Sequence, residues 1–328
     1  MRDMNILLSK MNQPIEEEYI KFEKYFSDSL LTDVKLINSV VKYITKRKGK
    51  RFRPRLCLLS AKLCGDINDN TYRASSLIEM IHVATLIHDD IVDDAKIRRG
   101  WPSVNRIWKN KVAILVGDYL FSNALSKMCD IDSWDALKVL SKTAKRLSRG
   151  EIMQVQSAMK KNLDEEGYYK MVSDKTSSLI SASTLIGAIT ATDDSVKREA
   201  LYNYGEKLGT MFQMQDDLLD ITGLEREIGK PTMFDLKKNM FTLPIIHIVS
   251  NKSETDKKRI LSTLKYLSKR NKQEQIKDMI IDMGGIEYTK NKINELSRSA
   301  IEDLSCFEDS ESKKALISAI NFNIERKL

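Results

Sequence analysis

The sequence predicts an all-α protein, a single-domain helical bundle over residues 1–328. Three observations carry this. Breakers are scarce, with 13 Gly and 5 Pro in 328 residues, which favours long helices. β-branched residues are scattered among Leu, Lys, Glu and Met instead of forming alternating runs. Apolar residues recur at helical spacing, as through Ile78, Ile81, Thr85 and Ile91. No internal period and no low-complexity linker divides the chain, and its length allows a sizeable core.

In chain order, acidic residues in the first turn predict an opening helix over Pro14–Phe26, and a second helix follows over Val34–Thr45. Lys46–Arg55 reads as a basic loop containing Gly49 and Pro54, after which Leu56–Cys64 resumes helix and stops at Gly65. A long helix is expected from about Asn70, free of Gly and Pro through Lys96 and finished by Gly100-Trp101-Pro102. Val104–Met128, Trp134–Lys160, Glu165–Ala191 and Val196–Ile221 read as four more amphipathic helices. Leu224–Met240 is a loop with Gly229 and Pro231, and lysine-rich helices fill Thr242–Leu328.

The formal charge of +8 favours anionic partners, either nucleic acid or a phosphorylated small molecule. Lysines are spread widely, so a solvating surface explains most of the excess. Cys57, Cys64, Cys129 and Cys306 show no C-x-x-C pairing, which argues against zinc and against a disulfide framework. Reduced thiols predict a cytoplasmic protein, with the cysteines as small buried hydrophobes. The N-terminus turns acidic too soon for a signal peptide, and no apolar run reaches membrane-spanning length.

The chemistry concentrates in two acidic clusters. The first is Asp89, Asp90, Asp93 and Asp94, preceded by His82 and His88 and followed by Arg98 and Arg99. On a helix, residues four apart share a face, so Asp89 pairs with Asp93 and Asp90 with Asp94. Carboxylates so crowded repel one another unless a cation lies among them. Mg²⁺ suits such a place, because it takes oxygen ligands from one or two carboxylates plus substrate phosphates. The second cluster, Asp216, Asp217 and Asp220, repeats the Asp-Asp-x-x-Asp spacing. Aspartate is a poor mid-helix residue, so breaking that preference twice in one pattern marks a site. Helices facing one another with these clusters would line a cavity tolerable only with bound cations.

With both clusters present, the chain resembles the trans-isoprenyl diphosphate synthases, the polyprenyl synthetase family. The matching stretches are Gly49-Lys50-Arg51-Phe52-Arg53-Pro54, Ile81 through Gly100, Gly117-Asp118, Lys175-Thr176, Phe212 through Asp220, and Thr242-Leu243-Pro244. They keep the family's order and span most of the chain. The resemblance implies the isoprenoid synthase fold around a central cavity, and Mg²⁺-dependent, head-to-tail condensation of isopentenyl diphosphate with an allylic diphosphate such as farnesyl diphosphate. It implies about three Mg²⁺ ions per site, with Asp89, Asp93 and Asp216 as ligands and Asp90, Asp217 and Asp220 assisting. Arg98, Lys175, Thr176, Gln213 and Lys230 match contacts to the allylic diphosphate. Lys50, Arg53, His82 and Arg99 match the grip on isopentenyl diphosphate, and guanidinium forks suit phosphate oxygens. The departing diphosphate is then the base, so no dedicated His or Glu is required. The family usually carries a lysine just before Thr-Leu-Pro, where Met240 or Phe241 stands here; Lys237 and Lys238 lie just upstream. Asp235 sits where the family commonly has an acid. His88 and Met153, Met159, Met211 and Met214 are read as packing residues.

A growing tail would run along the first acidic helix toward its N-terminus, past Thr85, Ala84, Ile81, Met80 and Leu77. One helical turn is about 5.4 Å, close to one extended isoprene unit. Short-chain relatives commonly carry bulky aromatics where Ala84 and Thr85 stand. Small residues there predict a long product, roughly C30 to C45 by clearance, for quinone side chains. Three other readings compete: a short-chain farnesyl or geranylgeranyl diphosphate synthase, a class I terpene cyclase and a non-catalytic synthase subunit. A cyclase would replace the second Asp-Asp-x-x-Asp, and a silent subunit would have lost acids. A nucleic-acid-binding module would explain the charge but not the paired acids. The resemblance also implies a homodimer through Val104–Leu125, with membrane contact limited to peripheral product release.

Overall fold

The computed structural model describes residues 8–46, 49–98, 100–161, 163–223 and 233–324. Among them, fifteen α-helices account for nearly all regular structure, labelled here in chain order. They are α1 Glu16–Ser29, α2 Lys35–Thr45, α3 Phe52–Cys64, α4 Asp69–Val92, α5 Val104–Met128, α6 Trp134–Lys160, α7 Glu165–Val172, α8 Ser178–Ile189, α9 Ser195–Thr222, α10 Phe234–Lys237, α11 Leu243–Ser250, α12 Glu254–Lys269, α13 Gln273–Asp282, α14 Gly285–Asp303 and α15 Glu311–Ile324. A hairpin of two-residue strands, β1 Ile97–Arg98 and β2 Trp101–Pro102, stands between α4 and α5.

Local chemistry sets the helix starts. Asn68 and Thr71 form a reciprocal capping box at the head of α4. Ser133, Asp164, Asp194 and Ser253 accept backbone N–H groups at the starts of α6, α7, α9 and α12. α8 is the most enclosed long-range packer, lying against α3 and α9, while α4 packs along α5 and α9 along α14. Its hydroxyls are absorbed internally: Ser183 Oγ donates to the Leu179 carbonyl at 2.6 Å, and Thr184 Oγ1 to the Leu201 carbonyl at 2.7 Å.

Four expectations need correction. Helix α3 begins at Phe52, so Arg53 and Pro54 lie on a helix and not in a loop; proline is tolerated in the first turn because its missing N–H would have no intrahelical partner. Helix α4 ends at Val92, Asp93 caps it, and Asp94 leaves at φ +51, so Asp94 does not share a helical face with Asp90. The expected Glu165–Ala191 helix is interrupted by a π-turn at Ser173–Ser177. Cys129 and Cys306 are exposed, as is Met159 at 79 %, because they lie on outward faces that spacing alone does not distinguish from the core.

Arg51, which heads α3, is a non-glycine residue at φ +45. Its side chain is buried, with Nη1 donating to Glu79 Oε1 at 2.6 Å and the guanidinium 4.6 Å from the centre of the Phe26 ring. Arg51→Met would strand the Glu79 carboxylate in the interior. The expected result is a loss of about 3–5 kcal/mol, read as a lower urea midpoint.

Candidate active site

The acidic clusters occupy the ends of α4 and α9. Asp89 and Asp93 stay in register because the Asp93 N–H donates to the Asp89 carbonyl at 2.8 Å. Asp90 is buried, and Arg98 Nε, reaching back from β1, donates to its Oδ1 at 2.6 Å. Burial nevertheless holds the Asp90 carboxyl above its usual range. On α9, Asp217 is buried, its Oδ2 accepting from Tyr168 Oη at 2.6 Å and its Oδ1 from Gln213 Nε2 at 2.9 Å. Asp220 receives the Phe234 and Asp235 N–H groups at 3.1 and 3.2 Å, anchoring α10.

Two chains of contacts join the clusters. Along the first, Lys175 Nζ lies 2.7 Å from Glu151 Oε1, and both charges act on the Asp89 carboxyl. Thr176, next in sequence, donates to Gln213 Oε1 at 2.7 Å, and Gln213 donates on to Asp217. Along the second, α10 is tied to Asp220, and Lys238, just beyond it, donates to the Asp93 carbonyl at 3.3 Å. The segment after α10 thereby ties the end of α9 to that of α4, while the Lys175-Thr176 turn, bonded to α9, brings its charge to bear on Asp89.

Burial pushes the Asp89 carboxyl up to about 7, and Glu151 adds to this against Lys175 and Arg98. Asp217 is likewise raised to about 7, by burial first, with Asp216 and Asp220 adding to it against the Tyr168 and Gln213 hydrogen bonds. Clustered carboxylates held that high lack compensating charge, which suits cations brought in from outside. The donor set is all oxygen, as a hard divalent ion requires. Among the described residues no three acidic, imidazole or thiol side chains converge closely enough to enclose an ion unaided.

Arg53 Nη1 lies 3.0 Å from His82 Nε2, joining α3 to α4 two turns below Asp89 and close to the same helical face. Lys50 Nζ stands 5.1 Å from the Phe322 ring centre, and Phe322 stacks on Phe52, which meets Phe212 of α9. Arg53 and His82 are therefore together, while Lys50 is placed by its aromatic neighbour. Arg99 and Lys230 lie outside the described residues. His88 approaches the Ile114 carbonyl and Asp118, both at 3.3 Å, and is a packing residue between α4 and α5. Leu77, Met80, Ile81 and Ala84 are buried and Thr85 is partly open; Leu77, Ile81 and Thr85 fall at successive fourth positions on the stripe that ends at Asp89.

Residues 34–283 match the sequence profile of the Polyprenyl synthetase family. The chain belongs to the polyprenyl synthetase family. It is similar to octaprenyl diphosphate synthase of Escherichia coli (strain K12), 30 % identical over 319 residues covering 97 % of this chain and 99 % of the relative. It is also 30 % identical to the all-trans-nonaprenyl-diphosphate synthase (geranyl-diphosphate specific) of Rhodobacter capsulatus, covering 95 % and 96 % of the two chains. Among solved structures, the polyprenyl synthase of Caulobacter crescentus CB15, complexed with calcium and isoprenyl diphosphate, superposes with a TM-score of 0.90 at 28 % identity over 98 % of each chain. The all-α isoprenoid synthase fold follows, and with it prenyltransferase activity.

Glu151, Tyr168 and Asp217's hydrogen-bonded environment were not legible in advance. Gly150 in mid-helix offered a signal for Glu151, since glycine there runs against helix propensity. Tyr168 gave none, because its pairing with Asp217 spans 49 residues of sequence.

Proposed function

We propose that this polyprenyl synthetase is a long-chain trans-polyprenyl diphosphate synthase that condenses isopentenyl diphosphate with an allylic diphosphate, supplying quinone side chains. The observation that carries the reading is the pair of Asp-Asp-x-x-Asp clusters held together through Lys175, Thr176, Gln213 and Lys238. Asp89, Asp93 and Asp216 are the residues that would hold about three Mg²⁺ ions, which when bound supply positive charge to the allylic diphosphate. The Lys175 ammonium faces the same diphosphate and stabilises its charge as the allylic C–O bond breaks. Thr176 and Gln213 present fixed dipoles beside it, and Arg98 holds Asp90 in place. Lys50, Arg53 and His82 grip the diphosphate of isopentenyl diphosphate, with Arg99 and Lys230 extending the two grips by family resemblance. The allylic tail lies along the Leu77–Ile81–Thr85 stripe, whose two lower residues are buried.

Incubating the protein with farnesyl diphosphate, isopentenyl diphosphate and Mg²⁺ should yield products of roughly C30 to C45, read by chromatography of the dephosphorylated alcohols. Products stopping at C15 or C20 would overturn the long-chain assignment. Ala84→Phe should shorten the product by one or more units and cost about 1–3 kcal/mol of stability through overpacking. An unchanged product distribution from a folded variant removes Ala84 from length control.

The proposed assembly is a homodimer through α5, supported by exposed Ile107, Ile114, Leu115 and Leu125 on that helix. Sedimentation of the purified protein tests it. No described helix is long and apolar enough to cross a membrane. Four free cysteines suit the reducing cytoplasm, where we place the enzyme, with peripheral membrane contact at product release.

A further inference from the structure

We propose that Arg146 is a positioning residue that fixes the Lys175-Thr176 turn and thereby the grip on the allylic diphosphate. The inference rests on the reading of that turn given above. A π-turn is an uncommon insertion in a helix, and here the Ser178 N–H bonds back five residues to the Ser173 carbonyl. The extra residue frees the local backbone from the regular helical ladder, so something outside the turn must select its conformation.

Arg146 supplies that selection from α6. Its side chain is largely buried, and one guanidinium reaches three partners. Nε donates to Asp174 Oδ1 at 3.0 Å, Nη1 to Glu206 Oε1 at 2.6 Å, and Nη2 to the Ser173 carbonyl at 2.9 Å. Asp174 and Ser173 immediately precede Lys175, so the fork holds both a backbone carbonyl and a side chain of the turn itself. Glu206 belongs to α9, the helix that carries Gln213 and the second acidic cluster. Arg146 thus references the turn to the same helix that presents Asp216.

The same two helices also press on the turn sterically. A Cβ on Gly150, one helical turn after Arg146, would stand 2.4 Å from the Lys175 nitrogen. A Cβ on Gly209, three residues after Glu206, would stand 2.4 Å from the Ser177 Cα. Each helix therefore brings charge and one glycine to the turn, Arg146, Arg149 and Glu151 with Gly150 from α6 and Glu206 with Gly209 from α9. A buried ion network is a poor source of net stability compared with apolar packing, but it imposes geometry. The planar fork matches three differently placed acceptors, which a lysine ammonium cannot do.

The test compares Arg146→Lys and Asp174→Asn with Lys175→Met, measuring KM separately for farnesyl diphosphate and isopentenyl diphosphate, with thermal melting alongside. Displacing the turn by a fraction of a helical step should raise the KM for farnesyl diphosphate about tenfold or more in both network variants, while the KM for isopentenyl diphosphate changes less than about twofold. If Arg146→Lys does not fold, Asp174→Asn and Glu206→Gln give the same reading with Arg146 in place. Should Lys175→Met raise the farnesyl diphosphate KM while the network variants leave it unchanged, or move both KM values alike, Arg146 is merely structural and the proposal is overturned. Should Lys175→Met itself leave that KM unchanged, the reading of the turn falls, and the proposal with it.

Discussion

Asp89→Asn and Asp216→Asn are each expected to lower kcat by about a thousandfold with the helical circular dichroism unchanged. Both carboxylates lie on half-buried helix ends, one in each acidic cluster, and neither serves as a helix cap. Asparagine preserves their volume while removing the charge that a divalent ion requires. The loss falls on the step in which negative charge builds on the leaving diphosphate, so raising the substrate concentration should not restore the rate. Turnover measured at saturating Mg²⁺ and both substrates checks this. A decrease of less than about tenfold in either variant would detach that cluster from the chemistry.

The second large effect is on stability. Asp89 and Asp217 carry carboxyls raised from 3.8 to about 7, in each case first through burial. Between those values the folded protein binds protons that the unfolded chain has released, so stability falls as pH climbs through the interval. Asp174 has the opposite sign. Burial raises its carboxyl, but hydrogen bonds from Arg149 and Arg146 outweigh this and hold it below its ordinary value of 3.8. Its contribution is present above 3.8 and is lost as pH falls below that value. The metal-free protein should therefore melt highest in mildly acid solution and lower at pH 8. Saturating Mg²⁺ at pH 8 should raise Tm by about 5 °C, with a smaller gain at pH 5, where a proton occupies the Asp89 carboxylate. Calorimetric scans with EDTA and with Mg²⁺ across this range measure both trends. A Mg²⁺ gain independent of pH would mean that the ions do not bind at Asp89.

Legibility followed the range of the interaction. Most helices and the Asp89–Asp93 pair were readable because they depend on spacing within a few turns, one hydrogen bond along α4 joining the two, whereas the Asp90–Asp94 pair was not, since the helix ends between them. The π-turn at Ser173–Ser177 was not readable, since its own residues carry no break signal and the selecting groups, Arg146 and Glu206, are 27 and 33 residues from Ser173. The exposure of Met159 and of Cys129 and Cys306 depended likewise on which faces other helices cover.

By itself the sequence determined an α-helical chain with two matched carboxylate clusters, because helical period converts spacing directly into facing. Only the tertiary structure decided that Asp217 is claimed by Tyr168 and Gln213, that Glu151 and Lys175 lie beside Asp89, and that Lys238 reaches Asp93. Apart from the Gln213–Asp217 bond, which is local to α9, those pairings join segments tens to more than a hundred residues apart, and hydrogen-bond and Coulomb energies depend on distance in space, which local spacing does not encode.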